Sequence, residues 1–263
     1  MHEKRLFIFG GVNSLDYGVL LDGSGTTTAP ERDVMTVTIP GRSGDLLVDA
    51  GRWKNTTVSY PCTIAREFEG RFAAFKQALL AEGGYKRLED TLHPDEYRLA
   101  YLAGPLEPET IPYNRAGTFA LDFGCKPQRF LKSGEDVLTV VSGGKLYNPT
   151  GCAALPLIRL TLTGDAKLNV GGVQMSVAGH TGPMWIDCDL QDAYYNNTNL
   201  NKYLTAPEFP VLGAGATQVS WSGGIDKCEV VPRWWRDCEG KEQLKPRPPL
   251  SPALSWRAER TDA

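Results

Sequence analysis

Residues 117–125 read GTFALDFGC. Phe119, Leu121, Phe123 and Cys125 alternate with Thr118, Ala120 and Asp122. A period of two marks a strand with one buried face, and this is the clearest strand in the chain. Working upstream, TVSYPCTI (57–64) places Val58, Tyr60, Cys62 and Ile64 on one face. Pro61 falls on the other, where its missing N–H predicts an edge or a bulge. VMTVTI (34–39) sets Met35, Val37 and Ile39 against Val34, Thr36 and Thr38, predicting a further half-buried strand. REFEGRFAAFKQALLAE (66–82) spaces Phe68, Phe72, Phe75 and Leu79 along one side of a helix that ends at Gly83-Gly84. That stripe reads as core packing. Residues 85–102 form two polar–apolar segments around the turn signal His93-Pro94-Asp95, predicting a long-armed β-hairpin. KPQRFLKSGE (126–135) reads as a connector.

Beyond it the texture changes. Short strands are expected at 137–141, 157–163, 167–170, 173–177, 184–190, 217–222 and 227–232. Thr163-Gly164-Asp165, Gly171-Gly172 and Gly223-Gly224 punctuate them. In LIRLTLTG, Ile158, Leu160 and Leu162 point inward and Arg159, Thr161 and Thr163 outward. Strands in series without a convincing helix predict a β-sandwich. The fold class is therefore mostly β with one main helix. The expected division is an N-terminal β domain at 1–133, a C-terminal sandwich at 134–235 and an extended, proline-rich tail at 236–263.

Composition narrows the function. The chain has 263 residues, 41% hydrophobic, with a formal net charge of −3. There is no surplus of Lys and Arg of the kind that tight, sequence-independent nucleic-acid binding needs. No apolar run approaches the ~18 residues of a spanning helix, and the apolar patch after MHEKR is far too short for a signal-peptide core. These features predict a soluble protein made in the cytoplasm. The cysteines, Cys62, Cys125, Cys152, Cys188, Cys228 and Cys238, form no C-x-x-C pair. They are expected to be mostly reduced and buried.

No cofactor or catalytic pattern emerges. PGRSGD (40–45) lacks the lysine and spacing of a phosphate loop, and Ser43 has no nucleophile-elbow context. His2, His93 and His180 read as exposed histidines of a terminus and two turns. Asp187, Asp189 and Asp192 in DCDLQD lack the glycine and terminal glutamate of a calcium loop; on a strand, Asp187 and Asp189 would share a solvated face. Trp185, Tyr194, Tyr195, Trp221, Trp234 and Trp235 crowd the second half. Aromatics of this kind pack cores and interfaces or stack on sugar rings.

Taken in order, several stretches resemble one family. They are FIFGGVNSLDYGVLL, IPGRSGDLLVDAGRWKNTTVSY, the helix, GGYKRLEDTLHPDEYRLAYL and RAGTFALDFGCKPQRF, then LYNPTGCAALPLIRLTLTGDAKLNV, WIDCD and FPVLGAGATQVSWSGG. The chain resembles the distal tail (Dit) proteins of siphophage-like bacteriophages and prophages, over about residues 6–235. The resemblance implies a structural virion protein of the tail tip: six copies in a hub ring at the far end of the tube. The first domains would make the ring and continue the DNA channel, passing DNA without binding it. The second domains would be galectin-like or carbohydrate-module-like sandwiches pointing outward. Implied partners are the tail tube protein, a tail-associated tip protein and receptor-binding or baseplate proteins, with assembly in the host cytoplasm. In this reading PGRSGD is a rigid turn presenting Arg42, the 85–102 hairpin is an arm towards a neighbour, and Arg42, Asp45, Tyr85, Arg87, His93 and Tyr97 are the candidate ring or tube contacts. Trp185, Tyr194, Tyr195 and Trp221 are the candidate partner or glycan contacts. The alternative is a carbohydrate-binding module that adheres to host cell-wall glycans.

Overall fold

In the computed structural model, which describes residues 5–81, 83–110 and 115–236, the strand legible at 117–125 does not stop at Cys125. It runs Gly117–Leu131 as β11. The connector expected from 126 is corrected accordingly: past a bulge between Cys125 and Arg129, residues 129–131 still pair with 96–98. Only Lys132–Glu135 turns away, as a 3-10 turn.

Strand β11 lies inside a ten-stranded antiparallel sheet with β1 (Phe7–Phe9), β2 (Val12–Asn13), β3 (Val19–Leu21), β4 (Thr26–Thr27), β7 (Thr56–Ile64), β8 (Lys86–Asp90), β9 (Glu96–Leu102), β10 (Glu109–Thr110) and β21 (Trp235–Arg236). The main path is β2-β1-β8-β9-β11-β7-β3. Strand β7 is thus interior, and the edge expected from Pro61 is corrected. The Pro61 carbonyl accepts from the Asp22 N–H at 2.8 Å. A residue's N and C=O point to the same side of a strand, so the missing N–H falls where β3 has ended and β4 has not begun. One helix, α1 (Phe68–Leu80), closes the inner face. Phe68, Phe75 and Leu79 are buried there, with the Phe75 ring 6.1 Å from Phe7 and the Phe72 ring 5.0 Å from Phe119.

The hairpin expected at 85–102 forms, as β8 and β9, but it is no free arm. β8 also pairs β1 and β9 also pairs β11, so both strands are consumed by the sheet. The free arm is instead β5 (Arg32–Val37) with β6 (Leu46–Trp53), a two-stranded sheet of its own. The half-burial expected for 34–39 is absent within one chain: Met35 is 62% exposed and Leu47 62%. The alternation is real, but the described residues supply no second layer.

The second unit comprises β12 (Leu138–Val140), β13 (Gly144–Asn148), β14 (Leu157–Val170), β15 (Val173–Val177), β16 (Gly182–Asp187), β17 (Asp192–Tyr195), β18 (Thr198–Asn199), β19 (Leu204–Thr205) and β20 (Gly215–Val231). Four strands expected separately are two long ones. Residues 157–163 and 167–170 both belong to β14, and 217–222 and most of 227–232 to β20. Register shifts between Thr161 and Ala166 bend this pair, so a single nine-stranded sheet curls into two facing halves. β12, β16, β17 and β18 extend one half; β13, β15 and β19 extend the other. Ile158, Leu160, Leu168, Met175, Met184 and Ile186 fill the space between. Strand β13 was not foreseen, and the strand expected at 184–190 ends at Asp187.

Cys62, Cys125, Cys188 and Cys228 are buried in the two cores. Burial pushes their thiols up, Cys125 to about 11 and Cys188 and Cys228 to about 12, which leaves them protonated and inert at neutral pH. Cys238, His2 and the proline-rich stretch from 237 onward lie outside the described residues. No described helix is long and apolar enough to cross a membrane.

Candidate assembly surfaces

The arm is built to project. At its base Arg52 pairs with Asp33 at 2.6 Å and the Arg32 guanidinium sits 4.1 Å over the Trp53 ring. At its tip the Arg42 N–H donates to the Ile39 carbonyl at 3.2 Å, and the Thr38 hydroxyl donates to Asp45 across the two strands at 2.9 Å. Gly41 and Gly44 both take left-handed backbone (φ +80° and +82°), which only glycine adopts readily. PGRSGD is therefore a tight, hydrogen-bonded turn with Arg42 exposed at its end.

The other ring candidates separate. Tyr85 is exposed, and it accepts a hydrogen bond from the Asn55 amide and lies 5.4 Å from Tyr101, edge to face. Arg87, His93 and Tyr97 are engaged within the chain. Arg87 pairs with Glu89 and Glu135 and stacks 3.8 Å over Tyr97. Tyr97 stacks on Phe130 at 5.3 Å, and burial, then Glu135, pushes its hydroxyl up to about 12. His93 holds its own turn, its N–H donating to Asp90 at 2.7 Å and its ring nitrogen 3.1 Å from the same carboxylate.

The junction between the two units was not foreseen, because its partners are distant in sequence. Glu96 lies 2.6 Å from Arg129 and 2.9 Å from Arg236, with Glu96 and Arg129 buried. Arg233 grips Asp187 through two bonds of 2.7 and 2.8 Å. The Leu131 N–H donates to Trp234 and the Arg233 N–H to Gly134, each at 2.8 Å. Asp187 is thus buried in an ion pair, which corrects its expected place on a solvated face. Asp192 instead accepts from Asn199 and Asn201, so Asp187 and Asp192 are engaged by different partners, and the Asp189 N–H donates to Asp187.

Burial alone would raise the Asp187 pKa, but the hydrogen bonds from Arg233 and from the Leu190 and Asp189 N–H groups outweigh it and hold the carboxyl below its ordinary range. A depressed folded value stabilises the fold above the unfolded pKa of about 3.9, and that contribution is lost as pH falls through the folded value. Asp187→Asn is therefore expected to cost stability at pH 7, with the gap to the parent narrowing at pH 3. Urea midpoints of both proteins at the two pH values check this; an unchanged gap would refute it.

Trp185, Tyr194 and Tyr195 come together, with ring centres 5.8 and 5.7 Å from Trp185. Trp221 does not join them: it pairs opposite Leu168 on the other half of the sheet and packs against the core. Register places Trp185 in an outward row that runs Glu229, Arg159, Trp185, Tyr194, Asn199 across five strands. The Arg159 guanidinium lies 4.9 Å from the Trp185 ring centre. Glu229, Arg159 and Asn199 escaped the sequence reading because a cross-strand row has no linear spacing. Among the described residues no three metal-binding side chains cluster.

A ten-stranded sheet under one helix, a free β-arm and a curled nine-stranded unit make up a fold that is similar to solved chains of a phage hub and a phage baseplate. The crystal structure of the SPP1 Dit protein, called a paradigm of the hub adsorption apparatus in phages infecting Gram-positive bacteria, matches with a TM-score of 0.62 over 87% of this chain and 98% of that one, at 10% identity. A chain of the phage P2 baseplate in its activated conformation with Ca matches with a TM-score of 0.50 over 87% and 97%, at 9% identity. No protein-family model and no curated protein matches the sequence. At such identities the likeness defines the fold and leaves function to be argued.

Proposed function

We propose that the chain is a structural subunit of a phage or prophage tail tip. Six copies form a hub ring at the distal end of the tail tube, joining tube, tip protein and adhesion device around a channel for DNA. The observation that supports this is the likeness to a hub protein through both units, covering 87% of this chain and 98% of the other. The mildly acidic charge of −3 suits a channel that must not retain DNA. Electron microscopy of tails carrying an affinity-labelled copy tests the reading. Label at the tube's distal end is expected; tails that lack the chain, or carry it along the shaft, would overturn it.

The row Glu229, Arg159, Trp185, Tyr194, Asn199 favours a second role on the same scaffold. It offers an aromatic surface between charged and amide groups, the chemistry that binds a sugar's apolar face and hydroxyls. Purified host cell-wall polysaccharide is expected to quench tryptophan fluorescence, and Trp185→Ala to weaken binding about tenfold, the equivalent of ~1.4 kcal/mol. Equal affinity of variant and parent would remove this role.

A further inference from the structure

The two faces of the arm differ. Met35 opposes Val48 and Val37 opposes Leu46, so these four side chains share one face, and Ala50 follows two residues on. All are exposed; Met35, Val37, Leu46 and Val48 range from 41% at Val37 to 62% at Met35. The opposite face mixes Val34 and Leu47 with Thr36 and Asp49. An unbroken apolar face on a strand pair is the pattern of a buried layer. A two-stranded hairpin is also marginal alone in water. The sequence is thus patterned for a cover that the described residues do not place there.

The chain carries a second exposed patch of complementary kind. Tyr85 and Tyr101 are 45% and 38% exposed. Lys126 sits 5.4 Å over Tyr85, and Asn55, two residues past the end of β6, donates to the Tyr85 hydroxyl. Tyr101 lies flat on Gly124, where a Cβ would meet its ring at 2.5 Å. These contacts fix the rings while leaving them uncovered. Two unlike patches on one chain are what a head-to-tail ring requires: each copy gives one and receives the other.

We propose that the apolar face of the arm (Met35, Val37, Leu46, Val48, Ala50) packs over the Tyr85–Tyr101 patch of the next copy. This rests on the ring reading above and names a contact within it. Size sets its strength. Five positions, 46–50, at ~3.3 Å each make a face about 16 Å long and, across two strands, about 10 Å wide. Its footprint is a fraction of the ~800 Å² per partner of a standard stable interface. One arm holds two copies weakly; a closed ring, in which every copy makes two such contacts, gains from effective concentration. Cross-linking is therefore the apt readout.

The test introduces Met35→Cys with Tyr101→Cys into the full chain carrying Cys152→Ser and Cys238→Ser, in concentrated protein and in purified tails. Mild oxidation is expected to give a covalent ladder of dimers and higher species. Leu47→Cys with Tyr101→Cys, from the opposite face, is expected to give none. Val48→Asp added to the first pair is expected to abolish the ladder while leaving the melting temperature unchanged, because the arm lies outside both cores. No ladder from Met35, or one as strong from Leu47, would overturn the contact. If labelled tails place the chain at the tube end while Met35 gives no ladder, the contact fails and the hub reading stands. A Met35 ladder from a chain missing from tails supports the contact and rejects the hub.

Discussion

Glu96→Gln is expected to destabilise the protein by about 3–5 kcal/mol, the cost of removing one partner from a buried ion pair. Glu96 has 9% of its side chain exposed and Arg129 only 3%, 2.6 Å apart. Arg236 approaches the other carboxylate oxygen at 2.9 Å. Glutamine keeps the shape and loses the charge, so Arg129 and Arg236 stay in place without this counter-charge. The damage extends beyond the pair, because among the described residues β21 joins the first sheet through just Arg129 opposite Arg236 and Phe130 opposite Trp235. For a chain of this size the loss corresponds to a melting temperature lower by about 10 °C. Adding Arg129→Met should recover part of it, since a buried pair replaced by apolar groups is often near neutral. Thermal unfolding of parent, single and double variants measures this coupling. A single-variant loss under about 1 kcal/mol would mean that water screens the cluster as it does a surface pair.

What the sequence disclosed follows from what periodicity can report. Val58, Tyr60, Cys62 and Ile64, like Phe119, Leu121 and Phe123, alternate because one face meets the helix and core, and all are buried. Met35, Val37 and Ile39 alternate equally well yet are exposed. Alternation says that a face is to be covered, not which molecule covers it. That distinction also explains the misplaced arm: the 85–102 hairpin was legible, but its pairing to β1 and β11 was not. Ion pairs were invisible for a related reason. Asp187 and Arg233 stand 46 positions apart, and nothing local distinguishes them from solvated charges. Of the proposed contacts, Arg42 and Asp45 sit at the arm tip and Tyr85 at its foot, whereas Arg87, His93 and Tyr97 hold the chain to itself. Glycine, proline and aspartate located the turns, but the bend of β14 and β20 was read as two breaks in the chain.

That bend carries the other large expected effect. Gly223→Ala should cost about 3 kcal/mol or more, in the range of overpacked and strained positions. At Gly223 β20 turns the corner with φ +86°, and a Cβ there would lie 2.4 Å from the Asp165 carbonyl oxygen and 3.0 Å from the Ala166 Cα. At Gly224 a Cβ would lie 2.5 Å from the Gly164 nitrogen. All these neighbours are backbone of β14, so no side chain can swing aside. The two longest strands of the unit cross from one half-sheet to the other together, and at the corner the backbone of β14 leaves no room for a Cβ on Gly223 or Gly224 of β20. Gly172 supplies the control: its φ is +97° but nothing lies within 4 Å of its virtual Cβ. Gly172→Ala should therefore cost only the backbone strain, about 1–2 kcal/mol. The difference between the two variants, read from denaturant midpoints, isolates the close approach from the dihedral angle. Trp221, two residues before the corner, should report the same difference in its emission. Equal costs at the two sites would show that the corner relaxes, and that something other than this backbone contact curls the sheet.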